Sequence, residues 1–190
     1  TSITPGDYNT GRSLDGESGG VYLFNALGQA VNSVEYGFQV GDLPIGLLGG
    51  QWRLLASATP GAANVAPAAL GTNAVLRFNE WMANPASGPD WFELFNPTNL
   101  PVELTGLYLT DDPSLAGQRQ FRAAPLSFIG PAGFVQWIAD SDTDQGRNHV
   151  NFSLETQGES LWLYRSTNNS TVTHVFLIDS VTFDAQQPDV

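Results

Sequence analysis

Residues 76–97 read LRFNEWMANPASGPDWFELFNP, and this stretch decides the fold class. Trp91-Phe92-Glu93-Leu94-Phe95 shows the period-2 patterning of a strand and is ended by the turn pair Asn96-Pro97. Ahead of it, Val75 to Trp81 has the same character. Further strand-like runs follow at Val102-Glu103-Leu104 and Leu107-Tyr108-Leu109, separated by Thr105-Gly106. Phe134 to Ile138 comes next, introduced by Gly130-Pro131-Ala132-Gly133, and then Leu161 to Tyr164 and Val175 to Phe183. Short apolar runs with turn signals between them predict an all-β sandwich or barrel. No convincing amphipathic helix interrupts them.

The chain also echoes itself. GESGGVYLF at 16–24 is matched by GESLWLY at 158–164, and Asn32-Ser33-Val34-Glu35-Tyr36 by Asp179-Ser180-Val181-Thr182-Phe183. The offset grows from 142 residues in the first match to 147 in the second, and the excess falls in the polar stretch Ser166 to His174. Polar insertions of this kind are tolerated at hairpin tips. Each copy reads as turn, strand, loop, strand. The first copy begins partway through a repeat, and the second has a front half but no counterpart of 44–64. The expected organisation is therefore residues 1–64 as the C-terminal portion of one repeat, 65–74 as a linker, and 75–190 as a nearly complete second repeat.

Composition narrows the function. With 190 residues and 42% apolar content, the chain can bury a real core. Its basic residues are seven Arg and no Lys, set against 19 acidic groups, for a net charge of −12. Such a chain repels phosphate backbones and anionic membrane surfaces, so neither nucleic acid nor a membrane is an expected partner. The absence of cysteine excludes a disulfide framework, a thiolate nucleophile and a Cys-ligated zinc. No apolar run approaches the length of a membrane span. The acidic, Cys-free composition fits an exported bacterial surface protein. The start at Thr1 and the cut repeats suggest a fragment of something longer.

Several motifs together carry a family resemblance. Asn79-Glu80 precedes Trp91-Phe92-Glu93-Leu94-Phe95-Asn96-Pro97. Val102-Glu103-Leu104-Thr105-Gly106-Leu107-Tyr108-Leu109-Thr110-Asp111 follows, and then Ile129-Gly130-Pro131-Ala132-Gly133-Phe134-Val135. This series resembles the lamin tail domain as found in bacterial surface and secreted proteins. The resemblance spans Val75 to Phe183 as one nearly entire domain, and Tyr8 to Asn64 as the back third of another. It implies an immunoglobulin-like β-sandwich. Nuclear lamin tails can engage DNA, but this acidic chain lacks the basic surface for it.

Candidate chemistry is sparse. Glu17-Ser18-Gly19-Gly20 evokes a serine-protease nucleophile, yet both histidines, His149 and His174, lie downstream, whereas that family places its His and Asp before the Ser. A turn before a strand explains Ser18 and its echo Ser160 alike. Asp140, Asp142 and Asp144 stand at alternate positions, a spacing by which a curled loop can aim oxygens at one Ca²⁺. The other reading is a solvated turn whose Asp side chains cap backbone N–H groups. Glu80 and Glu93, on adjacent predicted strands, are expected to be framework rather than a glycosidase pair. Arg77, Arg119, Arg122 and Arg147 are scattered and expected to pair with surplus acids. His149, near the acidic loop, is a poor transition-metal ligand among hard carboxylates. The five Trp residues are expected to serve packing before any sugar stacking.

These readings converge on a non-enzymatic structural or adhesive module of an exported protein. Its complementary deficits suggest self-association with neighbouring repeats, head to tail by strand complementation into a filament. The alternative is a Ca²⁺-supported accessory module of a secreted hydrolase, binding a glycan or another cell-surface ligand.

Overall fold

The structure, a computed structural model, describes residues 10–168 and 173–188. Part of the polar insertion, residues 169–172, lies outside the described residues. In chain order the strands begin with β1 (Gly19–Phe24), β2 (Ala30–Tyr36), β3 (Ile45–Leu48) and β4 (Gln51–Leu54). Then come β5 (Arg77–Met82), β6 (Asp90–Phe95), β7 (Val102–Glu103), β8 (Tyr108–Thr110) and β9 (Phe121–Arg122). The series ends with β10 (Phe128–Ile129), β11 (Phe134–Ala139), β12 (His149–Val150), β13 (Gly158–Asn168) and β14 (Thr173–Asp184).

The protein is an all-β sandwich. One four-stranded sheet has the order β12-β11-β6-β5 and the other β14-β13-β8-β9. All pairings are antiparallel except β11 with β12. The alternation of the opening stretch sets the layers: Phe92 and Leu94 point inward and are fully buried, while Glu93 between them is not. Opposing them from the second sheet are Leu109, Leu161 and Leu163, also buried. Phe92 stacks with Trp137 and Phe152, at centroid distances of 6.0 and 6.1 Å. Phe183 of β14 stacks on Trp81 of β5 at 5.5 Å and so joins the sheets.

Asn96 explains why the strand stops where it does. It is completely buried, its Nδ2 donating to the carbonyls of Leu100 and Gly130 at 2.8 Å each. Its Oδ1 accepts from the Thr98 N–H at 3.0 Å and the Thr98 hydroxyl at 2.8 Å. One amide side chain thus closes the turn after β6 and pins it to the turn before β11. On the outer face of this sheet, Asn79 is the bulged residue between Phe78 and Glu80, and its Nδ2 donates to Glu93 Oε1 at 2.7 Å. Glu93 therefore holds a framework position, opposite Glu80 in the strand register.

The segment after β2 enters this sandwich. Phe38 is buried in the same core as Phe92 and Trp137 and meets Trp137 edge-on at 4.9 Å. Its carbonyl accepts from Phe128 N–H at 2.9 Å, and Gly37 N–H donates to the Pro125 carbonyl. The Gln39 side chain reaches the Leu126 carbonyl at 3.0 Å. Residues 37–39 thus extend β10 sideways. The stretch 65–74 is tied down as well: Ala68 N–H donates to Leu54 and Gly71 N–H to Pro101.

Candidate functional site

The hairpin β1–β2 stands outside the sandwich and is the part of the molecule with apolar groups still uncovered. Asn25 builds its turn, its Oδ1 accepting from the N–H groups of Leu27 and Gln29. Alternation then puts Val21, Leu23, Asn32 and Val34 toward one side, facing Trp52 of β4. Leu23 is 60% exposed and Val21 46%. Between this face and the β3–β4 hairpin runs a groove of ≈ 440 Å³, lined by Leu14, Val34, Tyr36, Ile45 and Trp52 among others. A contiguous apolar surface of this kind marks an interaction site more often than an idle one. Among the described strands none pairs with the outer edge of β1 or of β2.

The opposite side of the hairpin carries the exposed Phe24 but is anchored through polar groups. Tyr22 Oη donates to Glu35 Oε1 at 2.7 Å, and Arg147 pairs with Glu35 Oε2. Asn148 Nδ2 donates to Glu17 Oε2 at 2.9 Å. The Tyr22 hydroxyl bond, seconded by the Arg147 charge, pulls the Glu35 carboxyl below its ordinary value, and Glu35 in turn raises the Tyr22 phenol. Glu17 and Glu35 thus fasten the hairpin to the loop that carries the acidic motif, with Tyr22 holding Glu35 in place.

That loop uses its carboxylates internally. Asp140 Oδ1 accepts from Asp142 N–H at 3.1 Å, and Asp142 Oδ1 from Asp144 N–H at 3.2 Å. These are the backbone-capping turns that the sequence offered as one of its two readings. The remaining oxygens of Asp140 and Asp142 meet at Gln145 Nε2, at 3.0 and 3.1 Å. Asp142 and Asp144 are exposed, and Asp144 makes no side-chain bond to the other two. Among the described residues no group of three or more His, Cys, Asp or Glu side chains is placed to hold a metal.

Sequence distance concealed one juxtaposition. His149 Nδ1 lies 2.8 Å from Asp140 Oδ2, with both side chains largely buried. Ser18, 131 residues upstream, sits across Gly146 from this pair: a Cβ on Gly146 would stand 3.3 Å from His149 Cδ2 and 3.8 Å from Ser18 Oγ. No hydrogen bond joins Ser18 to His149, so the nucleophile–base link of a triad is not made. Arg147 fulfils the ion-pair expectation, whereas Arg77 donates to the Leu76 carbonyl instead. Trp81 and Trp137 serve packing.

The chain matches no family model, no curated protein and no solved structure. No helix among the described residues is long and apolar enough to cross a membrane.

Proposed function

We propose that the chain is a non-enzymatic structural or adhesive module of an exported protein, an immunoglobulin-like sandwich of the lamin tail kind that assembles head to tail through strand edges. The observation that carries this is the uncovered β1–β2 hairpin, apolar on one face and open along both edges. A second, unlike edge lies on β14, a strand of 12 residues with only β13 beside it. Two different open edges on one molecule favour a heterologous contact, which makes a filament where its rotation does not close into a ring. The net charge of −12 fits a soluble exported protein. Sedimentation velocity across a concentration series, with negative-stain microscopy of the concentrated sample, is the test. Particles should lengthen with concentration, and Leu23→Asp in β1 should shorten them. A strictly monomeric chain at every concentration would sink the reading.

A second reading, a Ca²⁺-supported module that binds a glycan or cell surface, draws on the two carboxylates that converge on Gln145. A cation there would take the place of the amide, with Asp140, Asp142 and Asp144 as its oxygen donors. Calorimetry at millimolar Ca²⁺ would then give heat that Asp142→Ala removes; a silent titration of the unaltered protein refutes this reading.

A further inference from the structure

The first hairpin repeats the base of the second pair by pair, although the second runs on for longer strands. Val21 pairs with Val34, Tyr22 with Ser33 and Leu23 with Asn32. Leu161 pairs with Val181, Trp162 with Ser180 and Leu163 with Asp179. The register slips at the same place, between Leu23 and Phe24 in one and between Leu163 and Tyr164 in the other. Just past each hairpin a Gln N–H returns to the turn ahead of the first strand, Gln39 to the Gly16 carbonyl at 2.8 Å and Gln186 to that of Thr156 at 2.9 Å, each acceptor five residues before the first of the matched pairs. Strand pairing puts Val21–Phe24 in the places of Leu161–Tyr164, so Gly19 and Gly20 stand where Glu159 and Ser160 do. The Gly-Glu-Ser motif of the first copy accordingly lies two residues early.

What differs is the covering. Leu161 and Leu163 are buried beneath the β5–β6–β11 layer; Val21 and Leu23 are about half exposed. The edge of β13 carries β8, with Trp162 opposite Thr110, Leu163 opposite Leu109 and Tyr164 opposite Tyr108. The edge of β1 carries nothing described. Asp179 Oδ2 accepts from Phe78 N–H at 2.9 Å, while its counterpart Asn32 is exposed, its side chain without a described bond. The half-exposed face of Val21, Leu23, Asn32 and Val34, which looks onto Trp52, has no charge on it, which suits an apolar sheet face and not an acidic or basic partner. At Tyr36 it runs directly into the interface that Phe38 already makes with the sandwich.

We infer that β1–β2 is a docking site for the front half of another repeat of this same kind. The occupant is a sheet layer equivalent to β5–β6–β11, bringing a β8-like strand antiparallel along β1. That strand lies opposite Tyr22, Leu23 and Phe24, and a backbone N–H equivalent to that of Phe78 donates to Asn32 Oδ1. The inference rests on reading the chain as an assembling repeat module and names what its uncovered end assembles with.

The test supplies the half. A chain in which a second copy of residues 71–157 is joined directly to Ser18, with residues 18–190 unchanged, is compared with the original by hydrogen exchange. The β1 amides should slow to the rate of the β13 amides, and Val21→Asp with Leu23→Asp should restore fast exchange while β13 stays protected. Fast exchange at β1 in the extended chain overturns the inference. A second arm leaves the length unaltered. Leu161→Asp with Leu163→Asp releases the molecule's own front half, which should then be captured by β1–β2 of a neighbour. Association that persists after Val21→Asp and Leu23→Asp, or no association at all, counts against it. A monomeric original chain with a protected hairpin in the extended one refutes filament assembly alone; growing particles with an unprotected hairpin refute the docking site alone.

Discussion

Phe38 meets Trp137 edge-on, 4.9 Å between ring centroids, although 38 follows the outlying hairpin and 137 lies in the middle of β11. The contact makes the connector part of the sandwich core. Phe38→Ala removes a buried aromatic and leaves a cavity, which costs roughly 3–5 kcal/mol. Urea unfolding should show this as a lowered midpoint. Because the lost contact lies between the hairpin connector and the sandwich, both regions should lose hydrogen-exchange protection together.

Gly37 beside it tests the closeness of the approach. A Cβ there would stand 2.0 Å from Ser127 Oγ, and that hydroxyl is held by its 2.7 Å bond to the Ala124 carbonyl. Gly37→Ala should therefore destabilise the protein, and adding Ser127→Gly should recover part of the loss. Melting temperatures of the two single variants and the double variant would show the coupling.

Asn96 is a more local anchor. Asn96→Ala removes four hydrogen bonds and leaves the Thr98 N–H without its acceptor, at a cost of about 1–3 kcal/mol for a buried group left unpaired, while the Leu100 and Gly130 carbonyls keep the Thr98 hydroxyl and the Gly133 N–H. Asn96→Asp should be worse, since it sets a carboxylate against two carbonyl oxygens. Chemical denaturation of both variants checks the order.

This residue also shows what could be read in advance. Asn96-Pro97 marked the end of a strand from sequence alone, and alternation around Glu93 told inside from outside. The four-bond clasp could not be read, because its partners at 98, 100 and 130 come together only when β6 and β11 pair. Phe38 was silent for the same reason, since nothing in Tyr36-Gly37-Phe38-Gln39 says which core will take the ring. Val21 and Leu23 misled in the other direction: their pattern is that of Leu161 and Leu163, and only the three-dimensional arrangement leaves them bare. The pair His149–Asp140 lay within one loop, but Ser18 beside it was separated by most of the chain.

The acids divide by the sign of their pH effect. Burial, joined by the charges of Asp111, Glu155 and Asp90, raises Glu159, and burial with the Glu155 charge raises Asp90. Backbone N–H groups of Glu155 and Leu154 oppose these shifts without cancelling them. A carboxyl raised on folding favours the folded state most below its ordinary pKa and loses that contribution as pH climbs through the raised value. Stability should thus decline across that window, and Glu159→Gln should flatten the decline in denaturation curves taken at successive pH values. Glu35, held low by Tyr22 and then Arg147, acts oppositely. Its tether is present above the ordinary carboxylate pKa and is lost as pH falls through the depressed one, which NMR titration of the Glu35 carboxyl and Tyr22 ring would follow.

Phe38 has a mechanical meaning too. Ala185 stands in the second copy where Phe38 stands in the first, so the segment after β14 has no ring to insert. A pull along the backbone would reach the sandwich from the first hairpin through a buried aromatic and a strand bonded at Phe128, loaded in shear. Past the second hairpin the same pull would meet no aromatic plug, only the bonds of Gln186 N–H to the Thr156 carbonyl and of Asn84 Nδ2 to the Gln186 carbonyl. Single-molecule pulling should accordingly release the chain past 185 at lower force than past 38.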